Sequence, residues 1–125
     1  MTGDDINNFE KVQAQLESLH VEIGALAKKS QNDALNKFKL KFVNQSLTEA
    51  NELLGEKYVP FNDFSVFADD DLPTNSDVTM ILGQYMNCME KLRSDNIAAK
   101  SMWWYWMSDS EMTTIRTSPP KKLAK

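Results

Sequence analysis

The chain is poor in the residues on which small-protein chemistry usually rests. It has one cysteine, Cys88, and one histidine, His20. A single cysteine excludes an internal disulfide and any multi-cysteine metal site. A single histidine removes paired-histidine zinc motifs and leaves no Ser-His-acid triad to expect. Four glycines, Gly3, Gly24, Gly55 and Gly83, lie too far apart for a backbone cradle around phosphate. No apolar run is long enough to cross a bilayer, and the segment before Phe9 is polar and acidic rather than a secretory signal. These absences lead us to expect a cytoplasmic, non-enzymatic protein with no membrane span, no cofactor and no metal.

What is present reads as an ordinary globular composition, 42% apolar and 26% charged over 125 residues, enough for one domain with a modest core. The net charge of −4 is unevenly spread. Residues 1–27 carry five acids and one base, and residues 28–41 five lysines and one acid. Residues 42–77 carry eight acids and one lysine, and the C-terminal stretch is mildly basic. Such blocks are either solvated faces or a device for steering a partner.

Aromatic residues concentrate at one place. Ser101–Met107 reads Ser-Met-Trp-Trp-Tyr-Trp-Met and contains all three tryptophans. As a strand it alternates faces, setting Trp103, Tyr105 and Met107 on one side and Met102, Trp104 and Trp106 on the other. Both sides are large and apolar, so one needs a cover that a chain this short does not supply. We take Trp103 and Tyr105 as the outer pair. Ser108–Glu111 reads as a turn and Met112–Thr117 as the return strand.

Upstream, Phe9, Val12, Leu16, Leu19, Ile23 and Leu26 recur at spacings of three and four, the seam of a helix over about 5–28. That seam is a core stripe or a dimer face. A second helix is expected over about 31–54, opened by a capping box at Ser30–Asp33 and ended at Gly55, with Leu35, Phe38, Phe42, Leu47, Ala50 and Leu54 inward. Its first part is ambiguous, because Lys37–Phe42 also alternates as a strand does, and a bend near Asn44 would reconcile the two patterns. Pro60 and Pro73 bracket a loop in which Phe61, Phe64 and Phe67 recur every third residue and anchor it across the helices. A third helix is expected over about 77–96, with Asn75 or Ser76 as cap, Val78, Ile81, Leu82, Tyr85, Met89 and Leu92 inward and Glu90 outward. Gly24 and Gly83 mark close approaches between helices.

The expected architecture is therefore α+β, mainly α: a three-helix bundle, a Phe-anchored loop and a C-terminal hairpin over about 101–117. Residues 1–118 form the domain and 119–125 a flexible basic tail. The Asp69–Asp71 run offers oxygen ligands but lacks the alternation and central glycine of a calcium loop. With Asp63 and Asp77 it is the weakest of the readings, a small enzyme or metal site. Function is expected to lie in docking on another macromolecule, foremost a protein partner, with a homodimer as one form. Its size and acidic balance fit an inhibitor or accessory factor of the kind mobile elements carry. The docking residues are Trp103, Trp104, Tyr105 and Trp106 in the hairpin, and Phe9, Val12, Leu16, Leu19 and Ile23 on the first helix. The alternative is nucleic-acid binding, with the same aromatics stacking bases and Lys37, Lys39, Lys41, Lys100 and Arg116 meeting phosphate.

Overall fold

The computed structural model describes residues 1–121. Three helices, α1 (Gly3–Ser30), α2 (Lys37–Tyr58) and α3 (Asn75–Ser94), precede three strands, β1 (Ile97–Lys100), β2 (Trp103–Ser108) and β3 (Glu111–Thr117). The strands form an antiparallel meander in the order β1-β2-β3. The fold is α+β and mainly α.

Each helix begins where a side chain can satisfy its free N–H groups. Thr2 caps α1 in a reciprocal box with Asp5, and Thr74 caps α3 in the same way with Asp77. Asn36, not Ser30, opens α2 by accepting from the Lys39 N–H at 2.8 Å. Ser30 instead ends α1, whose last turn extends two residues beyond the expected limit. Its carbonyl accepts from Asn75 Nδ2 at 2.9 Å, so a buried asparagine at the start of α3 closes the end of α1. The ambiguous segment Lys37–Phe42 is helical, and no bend occurs at Asn44. The break lies at Gly55, whose φ of 62° and ψ of −176° only glycine adopts without strain.

The stripe of α1 is core: Phe9, Val12, Leu16 and Ile23 are fully or almost fully covered, and Leu19 is half-buried. It packs between α2 and, more extensively, α3. The expectation of a free seam on the first helix is corrected, because α2 and α3 of the same chain already cover it. On α2 the inward residues are Leu40, Val43, Leu47, Ala50 and Leu54. At about 100° per residue, Phe42 stands some 200° round from Leu40 and Phe38 some 160°, which sends both outward. Phe38 is 72% and Phe42 40% exposed, the reverse of the expected burial.

Two asparagines on α2 hold the long loop down. Asn44 exchanges two hydrogen bonds with the backbone of Phe67, and Asn51 donates to the Ser65 carbonyl while accepting from the Tyr85 hydroxyl. Seven residues apart on one helix face, they substitute for the strand this loop would otherwise pair with. Phe61, Phe64 and Phe67 rest against the core, the last two edge to face at 5.0 Å. Phe anchoring is thus supplemented by backbone bonds that the aromatic spacing does not announce.

Gly24 and Gly83 face the α1–α3 contact, but a methyl on Gly83 would meet His20 Nε2 at an ordinary 3.6 Å. Gly83→Ala should therefore stabilise the fold by about 0.5–1 kcal/mol through helix propensity. Gly55→Ala should act in the opposite direction, since its backbone angles exclude a side chain. Urea denaturation of both variants tests the contrast.

Candidate functional site

Strand β1 occupies residues 97–100, between the expected third helix and the expected hairpin, and the hairpin is a three-stranded sheet in consequence. Ile97 pairs with Trp106 and Lys100 with Trp103. Ser101 and Met102 are not strand but the two-residue turn between them, with Ser101 at φ 59°. The second turn, Asp109-Ser110, has both residues at positive φ, the type I′ pattern whose twist suits a hairpin. A bulge between Tyr105 and Met107 shifts the register on β3.

The two sides of β2 are unlike. Trp106 is fully buried, edge-on to Phe9 at 5.1 Å, and its indole N–H donates to Glu10 Oε1 at 3.0 Å. Trp104 is half-buried against the same core. These two expected docking residues are structural, and Trp106 ties the sheet to α1. Trp103 and Tyr105 point away from the helices. Trp103 is 51% exposed and Tyr105 is half-buried.

The outward side gathers two cations with the two aromatics. Arg116 lies opposite Tyr105 and reaches diagonally to Trp103, its guanidinium carbon 3.5 Å from the ring centroid. Stacking of this kind fixes a flexible arginine at little cost. Lys100 lies opposite Trp103 on the other neighbour. Lys100, Trp103 and Tyr105 line a shallow groove of about 520 Å³ together with Met112 and Thr114, and Arg116 flanks it.

Lys37, Lys39 and Lys41 do not join this face. They occupy the first turns of α2, where Lys39 pairs with Glu22 at 2.6 Å. Glu22 is twelve residues along α1 from Glu10, which puts that pair about 18 Å from the sheet-bearing end of the helix. Beside them Phe38 and Phe42 form an exposed edge-to-face pair at 5.0 Å. This second apolar patch is hidden in the sequence by the assumption that phenylalanine faces inward. A helical wheel centred on Leu40 and Val43 reveals it.

The end of β3 is fastened from below. On α3, Arg93 and Glu90 are both buried, against the expectation that Glu90 faces solvent. Arg93 Nε and Nη2 donate to the two Glu90 oxygens at 2.8 Å. Its remaining N–H groups reach Thr117 Oγ1 and the carbonyls of Ser118 and Pro119, and Glu90 accepts from the Lys121 backbone N–H. Burial opposes ionisation of Glu90, yet the Arg93 and Lys121 hydrogen bonds prevail and hold its carboxyl below the usual range. Pro119 and Lys121, expected in the start of a loose tail, are bonded to this pair; residues 122–125 lie outside the described residues.

Burial pushes the Cys88 thiol up, away from the reactive thiolate. Asp71 accepts from the Ala68 N–H and Asp77 completes the α3 cap, so two carboxylates of the acidic stretch are used by the backbone. Among the described residues no three His, Cys, Asp or Glu side chains converge as a metal site would require, and no helix is long and apolar enough to cross a membrane.

The chain matches no protein-family model, and no curated protein or solved structure matches it. The outward face of the sheet must be read from its own chemistry.

Proposed function

We propose that this is a cytosolic, non-enzymatic protein that docks on another protein through the outer face of its sheet, and acts by blocking or bridging that partner. One observation supports the reading above the others: Trp103 presents a half-exposed indole braced by Arg116, while Trp104 and Trp106 of the same strand pack on the core. A large rigid aromatic beside an ordered arginine is the usual make-up of an interface anchor. The test is capture from the native host with the tagged chain. Trp103→Ala and Tyr105→Ala should each abolish capture while the helical circular dichroism signal is unchanged. Capture that survives both substitutions rejects the reading. Mass in solution separates a second copy of the chain from a different protein.

A second reading, single-stranded nucleic acid, draws on the presence of Lys100 and Arg116 on the same face as the aromatics. It requires a labelled oligonucleotide to bind with a steep salt dependence. The separation of Lys37, Lys39 and Lys41 from this face weakens it.

A further inference from the structure

The charge of the groove is opposite to that of the molecule. The chain carries −4 overall, yet the groove between β1 and β3 is lined by Lys100 and flanked by Arg116, with no carboxylate among its lining residues. Asp109 and Glu111 sit at the far tip of the β2–β3 turn. Among the described residues neither Lys100 nor Arg116 has an ion-pair partner; the three pairs are Lys39–Glu22, Lys91–Asp95 and Arg93–Glu90. Arg116 is stacked, which orients its fork without using its N–H groups, and a planar fork of this kind matches a carboxylate.

The register fixes how far apart the cations stand. Lys100 and Arg116 lie on the two outer strands, about 9.6 Å apart across the sheet and about 7 Å along it, so their backbones are some 12 Å apart diagonally. In an extended chain, residues four apart share a face and span about 13 Å. The residue midway between them would fall over Trp103 and Tyr105.

Resting on the docking reading above, we infer that the groove takes an extended acidic peptide segment of a partner protein, with acids four residues apart and an apolar residue at the midpoint. One carboxylate meets Arg116, the other Lys100, and the central side chain lies on the aromatic pair beside Met112. A nucleic acid suits the face less well. Base stacking needs an open ring, and the guanidinium already covers one face of Trp103. Two cations also neutralise two carboxylates but only a fraction of a phosphate chain.

The experiment is a titration of the full chain, labelled with ¹⁵N, with the peptide Ser-Glu-Ser-Leu-Ser-Glu-Ser, followed by amide and indole N–H shifts. The shifts should centre on Lys100, Trp103, Tyr105 and Arg116, and the indole N–H of Trp106 should stay in place. Replacing both peptide glutamates by glutamine, or Arg116 by glutamine, should each weaken binding about tenfold. Lys100→Ala should weaken it less, since a lysine meets a carboxylate as a point charge. A dispersed spectrum in each variant certifies the fold. Equal binding of the glutamine peptide overturns the acidic preference and leaves docking standing. Absence of shifts at the sheet with either peptide overturns the inference; host capture that still depends on Trp103 would keep the broader reading alive. Tighter, strongly salt-dependent binding of oligothymidylate at the same residues assigns the face to nucleic acid and overturns the inference too.

Discussion

Arg93→Ala is expected to remove about 3–5 kcal/mol of folding stability, more than most substitutions in the helix core. The arginine contributes its five N–H groups to Glu90, Thr117, Ser118 and Pro119, all at 2.8 Å. Without it the Glu90 carboxylate stays buried with a single backbone donor, from Lys121. The dominant loss is that stranded charge rather than the missing contacts. The double variant Glu90→Leu/Arg93→Met should therefore recover much of the loss, because a well-packed apolar pair often equals a buried ionic one.

The same pair makes stability depend on pH with a definite sign. The folded pKa of Glu90 lies below its ordinary value of 4.5. Its contribution is therefore complete above the unfolded pKa and is lost as pH falls through the folded one. In Arg93→Ala the sign reverses. Desolvation then governs, the pKa of Glu90 rises, and protonation relieves the burial penalty. Urea midpoints should show the gap between wild type and variant narrowing as pH drops from neutral toward 4. A gap that is constant across that range contradicts the proposed balance at Glu90.

Trp106→Ala is the second large effect, a loss of about 3–5 kcal/mol. The indole fills the space between Phe9 and the sheet, and its N–H donates to Glu10 on α1. Removal opens a cavity that edge-to-face neighbours in a packed core fill poorly. Trp103→Ala, three residues earlier on the same strand, should change stability by no more than about 1 kcal/mol, the value of an exposed cation–π contact. Guanidinium denaturation of the two variants sets two tryptophans from opposite sides of one strand against each other. Similar losses at both positions would mean that the strand has no outer side.

Much of the fold is legible in the residues, and the failures have physical causes. The first helix is plain because its three-and-four spacing persists over six apolar residues, and local periodicity is what a helix needs. The start of α2 is obscured because Ser30–Asp33 resembles a capping box and Phe38 and Phe42 resemble core. Only the wheel set by Leu40, Val43 and Leu47 decides the inward face. Ala98, Ala99 and Lys100 carry weak strand preference of their own; β1 exists because Trp103–Trp106 supplies a partner for it. Glu90 reads as a solvent-facing residue of α3 because the segment that buries it with Arg93, Thr117–Lys121, lies more than twenty residues away. Of the expected docking residues, Trp103 and Tyr105 share the outer side of the strand; alternation separates the two sides, and only the packing of Trp106 on Phe9 decides which one is outer. Phe9, Val12, Leu16 and Ile23 do not serve, because a seam that fits a partner helix fits α3 equally well.

The most direct measurement is site-specific photocrosslinking in the native host, with p-benzoylphenylalanine installed in place of Trp103 and, separately, of Val21. Both positions are open to solvent, at 51% and 73% exposure, but Val21 lies on α1 away from the sheet. Docking through the sheet predicts one discrete crosslinked protein from position 103 and none from position 21. Equal crosslinking from both positions, or a product from position 21 alone, would contradict it.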